Sequence, residues 1–246
     1  MSDTIIELER VAFAYPGKAV LRGLDLQVAR GAVVGLLGPN GSGKTTLMHL
    51  LNGLAPCREG SLRVLGLDPW KDRVALQRSL ASVPEHPELY PWMRVRQFLA
   101  FYRRCYPGWD EAYVRTHLDR FGVPAGDRLG GLSRGQKGLV SLFSALGRKG
   151  RVLLLDDPTL GLDVLARRHL YRTIVEELCE REVTTVFATH LPAEVEGVLT
   201  HLAFLQAGRV VEAGSVEEVK ARHVRDGVSP SVEDLYIALM GGDHVA

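Results

Sequence analysis

Gly38-Pro39-Asn40-Gly41-Ser42-Gly43-Lys44-Thr45 follows the pattern G-x-x-x-x-G-K-[ST]. Residues of these types at this spacing suit one kind of chemistry, holding phosphate. Glycines let the backbone curl until successive N–H groups point at one anion. A helix that follows aims its positive end at the same point. The Lys44 ammonium neutralises β- and γ-phosphate oxygens, and the Thr45 hydroxyl is the hard oxygen ligand that Mg2+ prefers. A nucleotide site of this kind needs an acidic residue at the end of a neighbouring strand to hold the metal. Val152-Leu153-Leu154-Leu155-Asp156-Asp157 supplies two. Asp156 is the candidate metal holder, through water, and Asp157 the candidate for polarising the attacking water. A strand that merely ends in a polar turn before Pro158 has the same look, and the neighbouring phosphate loop is what gives the run its meaning.

These residues need a frame. Val33 to Leu37 is a short apolar run that ends in the glycine-rich stretch, and Thr45 to Leu54 reads as a helix. Val152 to Leu155 and Thr184 to Ala188 are two more unbroken apolar runs. Runs without alternation are expected of strands buried on both faces, as in a parallel sheet. Helical stretches such as Arg167 to Glu180 lie between them. The expected fold is therefore α/β, with helices on both faces of a mainly parallel sheet. Ile5 to Leu26 departs from this: it alternates loosely around Tyr15-Pro16-Gly17 and reads as a β-hairpin. Residues 88 to 148 contain no convincing strand and read as an inserted helical subdomain. Near the end, Ser231-Val232-Glu233-Asp234 can cap a helix whose Val232, Leu235, Tyr236 and Leu239 share one face.

Composition narrows the function. The 246 residues carry a formal net charge of +1, which argues against a polybasic nucleic-acid binder. No stretch approaches the roughly 18 apolar residues of a membrane span, and no secretory signal is visible. Cys57, Cys105 and Cys179 are odd in number and lack metal-ligand spacing, so they are expected to be reduced thiols, buried or incidental. A cytoplasmic location is the expectation.

Leu132-Ser133-Arg134-Gly135-Gln136 resembles the LSGGQ signature of ATP-binding-cassette (ABC) ATPases, with Arg134 in place of the first Gly. Ser133 to Gln136 also reads as an S-x-x-Q capping box, and the two readings are compatible. The order of phosphate loop, signature, acidic strand and Thr189-His190 is also similar to that of the cassette over essentially the whole chain. The resemblance implies a P-loop NTPase core (1–87 and 149–246) with an N-terminal antiparallel β-subdomain and a helical subdomain (88–148). It implies ATP and Mg2+ as ligands, with Gly38, Asn40, Gly41, Ser42, Gly43, Lys44, Thr45 and Thr46 on the nucleotide. It further implies a head-to-tail pair of cassettes sandwiching two ATP, so that Ser133, Arg134, Gly135 and Gln136 act on the nucleotide of the other subunit. Arg134 is then expected to add positive charge near that triphosphate, or to point to solvent. Tyr15 falls at the place of the aromatic that stacks on adenine, although a hairpin-turn residue would look the same. His190 matches the switch histidine at the γ-phosphate, and Gly161-Leu162-Asp163 the loop that crosses the dimer interface. Leu160 stands where the family has a small polar residue.

Two further departures touch chemistry. The family's catalytic glutamate is Asp157 here, shorter by one C–C bond, about 1.5 Å, so slow hydrolysis is expected. Glu85 stands where the cassette has a glutamine that contacts Mg2+ and the attacking water. It is a candidate metal ligand and catalytic group, or else a surface acid in a loop. Residues 90 to 109 hold Tyr90, Trp92, Phe98, Phe101, Tyr102, Tyr106 and Trp109 among four arginines. Such a mixture suits a protein interface, and family architecture sets it against a membrane permease. The same spacing suits a helical core, with the Phe residues inside and some of Tyr90, Trp92 and the arginines outside. The function these features imply is the ATP-hydrolysing subunit of an ABC transporter. It would drive a separate permease from the inner face of the membrane, in the export direction, paired with itself or a paralogue. The alternative is a regulatory ABC module that binds ATP with little turnover.

Overall fold

The computed structural model describes residues 3–159, 161–224 and 227–241. In chain order the strands are β1 (Thr4–Tyr15), β2 (Lys18–Ala29), β3 (Val33–Leu37), β4 (Glu59–Val64), β5 (Leu80–Val83), β6 (Val152–Asp156), β7 (Thr184–Thr189), β8 (His201–Gln206) and β9 (Arg209–Ser215). The helices are α1 (Lys44–Leu51), α2 (Arg73–Leu76), α3 (Val95–Cys105), α4 (Glu111–Arg120), α5 (Arg134–Leu146), α6 (Val164–Glu180), α7 (Pro192–Val195), α8 (Val216–Arg222) and α9 (Val232–Met240). They form two compact units, one of Met1–Leu76 with Glu182–Ala246 and the other of Gln77–Arg181.

In the first unit the expected hairpin is present: β1 and β2 pair antiparallel through the Tyr15–Lys18 turn, where Gly17 takes φ 77°. β4 pairs with the other edge of β1. Ile6, Leu8 and Val11 from β1, Leu21, Leu24 and Val28 from β2, and Leu62 and Val64 from β4 are buried, as alternation requires of a sheet with one wet face. A second sheet places β3 between β7 and β8, parallel to both, with β9 antiparallel on β8. Every residue of β3 and β7 is buried, so both strands read as unbroken apolar or β-branched runs. The buried Thr184 is satisfied because its Oγ1 accepts the Gly31 N–H at 3.0 Å.

α1 is shorter than its apolar pattern implies. It stops at Leu51 because Gly53 turns left-handed (φ 68°), and a Cβ there would sit 2.1 Å from the Pro69 carbonyl oxygen. Leu54, counted into the helix by pattern, is instead exposed. The terminal helix α9 forms where expected, with Ser231 Oγ accepting the Asp234 N–H at 3.0 Å. Val232 and Leu235 are buried, and the face extends to Met240.

In the second unit β5 and β6 form a parallel pair, and all of β6 is buried. Among the described residues of 88–148 no strand forms: α3, α4 and α5 fill the segment. The 90–109 aromatics divide in two. Phe98 and Trp109 are buried, with the Trp109 indole donating to the Ser144 carbonyl at 2.9 Å. Tyr102 lies between them with its ring tilted to both, and burial raises its hydroxyl to about 12. Tyr90, Trp92 and Phe101 cluster outside and are 44, 67 and 40% exposed. Phe101 therefore lies outside, against the expectation for the Phe residues. Val95, Phe98 and Leu99 form the buried stripe of α3, and Phe101, one turn beyond Phe98, falls at the edge of that stripe. Among the cysteines, Cys57 is half-buried and Cys105 exposed, and neither forms a disulfide.

Candidate nucleotide site

The phosphate-loop residues leave the end of β3 and enter α1 in the first unit. Gly38 is buried, and a Cβ there would lie 2.2 Å from the Leu205 carbonyl oxygen and 2.8 Å from Ser42 Oγ. Gly41 and Gly43 take φ 80° and 113°, values that β-carbon residues rarely adopt. Gly43 is pressed against the hairpin, since a Cβ would come within 2.8 Å of Leu21. The Gly208 N–H donates to the Ser42 carbonyl at 3.1 Å, so the β8–β9 turn braces the loop from the other side.

The side chains follow from that curl. Lys44 folds back, its Nζ donating to the carbonyls of Gly38 at 2.7 Å and Pro39 at 3.1 Å. Its ammonium is thus held over the loop, although only 7% of the residue is exposed. Thr45 is exposed on the first turn of α1, Thr46 is buried, and Asn40 is exposed on the loop. Ser42 Oγ is buried and has no hydrogen-bond partner. A buried hydroxyl without a partner costs about 1–3 kcal/mol, and a phosphate oxygen in the loop would satisfy it. The N-cap of α1 is Gly43, which offers no side-chain cap and leaves the N-terminal end of the helix open to an anion. The loop therefore fits a triphosphate.

His190 follows β7. Leu37 and Thr189 are partners in the parallel β3–β7 register, so Gly38 and His190 follow neighbouring strand ends. His190 is half-buried. Tyr15 ends β1, 43% exposed, with its ring edge-on to Phe13 at 5.0 Å.

The second unit has its own cluster at strand ends. Val83 and Leu155 pair in the parallel β5–β6 register, and Glu85 and Asp157 each stand two residues further on. Asp156 closes β6 and is buried, while Asp157 is half-buried with a left-handed backbone, φ 42°. Ser133 caps α5: its Oγ accepts the Gln136 N–H at 3.2 Å, and Gln136 Oε1 accepts the Ser133 N–H at 3.0 Å. The capping box read from sequence is thus present. Gly135 lies against the loop before α6, since a Cβ would sit 2.6 Å from the Gly161 carbonyl oxygen. Asp163 caps α6 by accepting the N–H groups of Leu165 and Ala166 at 3.0 and 2.9 Å. Leu160 lies outside the described residues.

Arg134 turns neither to open solvent alone nor to a distant group: its guanidinium donates to His86 Nδ1 at 2.8 Å. His86 drew no attention in the sequence, where nothing but its place beside Glu85 marks it. Val164 and Leu165, an apolar pair beside Asp163 that is 79 and 74% exposed, carry no motif that marks them in the sequence.

A buried strand, a glycine loop with a folded-back lysine and a helix opening on an anion site define a P-loop nucleotide-binding protein of the α/β class. The profile described as ABC transporter matches residues 21–160, more than half of the chain. The chain belongs to the ABC transporter family, as an ATP-binding subunit. It is 35% identical over 231 residues to the Nod factor export ATP-binding protein I of Paraburkholderia xenovorans, covering 91% of this chain and 75% of that one. It is 33% identical to the daunorubicin resistance ATP-binding protein DrrA3 of Streptomyces coeruleorubidus, covering 90 and 71%. The ABC transporter ATP-binding protein YtrB of Bacillus subtilis is 27% identical, covering 90 and 75%. A solved ATP-binding subunit of an ABC transporter superposes with a TM-score of 0.84 at 26% identity, over 96% of this chain and 99% of that one. The cbiO1 subunit of Clostridium perfringens, part of the cbiONQ transporter complex, superposes with 0.73 at 28% identity, covering 89 and 92%. Among the described residues no helix is long and apolar enough to cross a membrane.

Proposed function

We propose that the chain binds and hydrolyses ATP with Mg2+, pairs with a second ABC subunit around two nucleotides, and drives a separate transmembrane permease in the export direction. The observation that carries this reading is the phosphate loop, where a buried Ser42 hydroxyl without a partner faces a cradle that excludes every side chain at Gly38. In this reading Lys44 and the loop N–H groups hold the phosphates, Thr45 and Asp156 hold Mg2+, and Glu85 adds a carboxylate to the metal's surroundings. Bound Mg2+ would supply neutralisation of charge on the phosphate oxygens. Asp157 takes up the proton of the attacking water, His190 steadies the γ-phosphate, and Tyr15 offers its exposed ring to adenine. Ser133, Gly135 and Gln136 serve the partner's nucleotide, beside Asp163. The whole of 1–246 works as one cassette, with 88–148 as its helical subdomain. The outer cluster of Tyr90, Trp92 and Phe101, with exposed Arg96 and Arg104, docks the permease at the inner face of the membrane. Export rests on the names of the relatives, which include a Nod factor exporter and a daunorubicin resistance protein.

The test is phosphate release from the purified chain with Mg-ATP over a hundredfold range of protein concentration. Turnover per subunit that rises with concentration is the expected result, because two copies complete each site. ATP binding without turnover at any concentration would favour the regulatory module, in which the short Asp157 does not serve as a base.

A further inference from the structure

Two of the places where this sequence departs from the ABC motifs meet in space, inside the second unit. Arg134 stands in the signature where the motif has glycine, and Glu85 stands where the cassette has glutamine. Arg134 Nη2 lies 2.8 Å from His86 Nδ1 and 3.9 Å from Glu85 Oε1. His86 Nε2 lies 3.5 Å from that same carboxylate oxygen. A guanidinium has donors only, so the ring accepts from Arg134, whose Nη2 lies 2.8 Å from Nδ1 and 3.5 Å from Nε2. Guanidinium, imidazole and carboxylate thus form one compact triangle between the start of α5 and the loop after β5, with the charge of Arg134 within 4 Å of both partners. The Arg134 stem is held as well, because a Cβ on Gly161 would lie 3.1 Å from both its Cβ and Cγ. Only a glycine with φ 86° before α6 leaves room for that stem.

Exchanging a neutral amide for a carboxylate at position 85 adds a negative charge where a polyanionic substrate is to bind. The arginine at 134 cancels that charge. We propose that Arg134 is a positioning residue that acts in cis: it neutralises Glu85 of its own subunit and holds the 84–86 turn, so the two departures are one compensated change. The inference rests on the nucleotide reading above. It differs from the trans role that the signature's place implies for Arg134. The side chains of Arg134 and Glu85 are 51 and 37% exposed, so the pair contributes little to stability. Its effect is expected on a bound anion instead.

The experiment has two readouts, compared among the wild-type chain, R134M, R134K, E85Q and R134M/E85Q. R134M keeps the apolar stem over Gly161 and removes the charge. The first readout is hydrogen–deuterium exchange of the nucleotide-free chain, where residues 84–90 are expected to exchange at least about threefold faster in R134M as a held turn is released. The second is ATP affinity at a protein concentration low enough to keep the chain monomeric. R134M is expected to bind about three- to tenfold more weakly, R134K to recover most of that loss, and R134M to cost nothing once E85Q is present. Unchanged exchange would overturn the latch. An affinity loss of equal size with and without E85Q would overturn the compensation and leave a packing role. A loss seen only at concentrations where the chain pairs would assign Arg134 to the partner's nucleotide and overturn the cis role. Absence of ATP binding by the wild-type chain would instead strike the nucleotide reading, and the exchange result would still decide the latch.

Discussion

Asp157 sits one residue beyond β6 with φ 42°, a conformation that costs most residues about 1–2 kcal/mol and Asp less, because its short polar side chain can bond locally. Two effects therefore compete when its length is changed. A glutamate reaches about 1.5 Å further, and a 1 Å misplacement of a reacting group can cost on the order of a hundredfold in rate. The same glutamate loses the tolerance of Asp for this backbone, a factor of about 5–30 at most. Reach outweighs the backbone strain, so D157E is expected to turn over ATP several-fold faster than the wild-type chain, with a slightly lower melting temperature. D157N keeps the shape and removes the carboxylate, so it is expected to lose at least about a hundredfold in turnover while still binding ATP. Single-turnover phosphate release checks both. If D157E gains nothing, Asp157 already reaches its water or is not the base.

At the scale of the elements, α4 shows how a single cap is linked to pH. Asp110 Oδ1 accepts the Tyr113 N–H at 3.0 Å, and its other oxygen lies 2.9 Å from Lys149 Nζ. The Tyr113 amide first, then the Lys149 ammonium, hold this carboxyl below its ordinary value of 3.8. Its folded value lies below its unfolded one, so the stabilisation is full above the unfolded value and is lost as pH falls through the folded one. D110A is expected to cost about 1 kcal/mol at neutral pH, the usual worth of an N-cap, or about 2–4 °C in a chain of this size. The gap between D110A and the wild-type chain is expected to close below about pH 4 in denaturant titrations, as the carboxyl protonates. A gap that stays constant down to pH 2 would mean the charge has no part in the cap.

Caps of this kind are local, which is why Ser133 and Ser231 could be placed at helix starts from sequence. β3, β6 and β7 were legible because burial on both faces leaves no polar alternation to confuse the pattern. The phosphate loop was legible because its residues are contiguous. β4 was not, since Glu59, Gly60 and Ser61 are exposed and the segment is a strand only through its pairing with β1. The end of α1 depends on Gly53 meeting Pro69, and helical spacing could not split the α3 aromatics, since Phe98 and Phe101 are one turn apart yet 4 and 40% exposed. The Arg134–His86 contact joins the start of α5 to the loop after β5, far apart in sequence, and no spacing rule could find it.

At the scale of the molecule, the question is what covers the start of α6. Val164 and Leu165 stand in water on a single chain, beside the Asp163 cap. Gly135 lies against Gly161 and Leu162, so the signature end of α5 and this apolar pair belong to one surface of the second unit. A partner that reaches the signature must approach the pair as well. With a formal net charge of +1, two copies meet little long-range repulsion. Burying one leucine side chain is worth about 1.5–3 kcal/mol, so L165E is expected to weaken pairing at least about tenfold. Sedimentation velocity with Mg-ATP in the D157N background, where nucleotide persists, would show dimers for the parent chain and monomers for L165E at the same concentration. The melting temperature of L165E without nucleotide is expected to stay within about 2 °C of the parent, because an exposed side chain stabilises the lone fold by no more than about 0.5 kcal/mol. A parent chain that stays monomeric with Mg-ATP at every concentration would mean that this surface belongs to a different cassette, whose own apolar loop completes the pair.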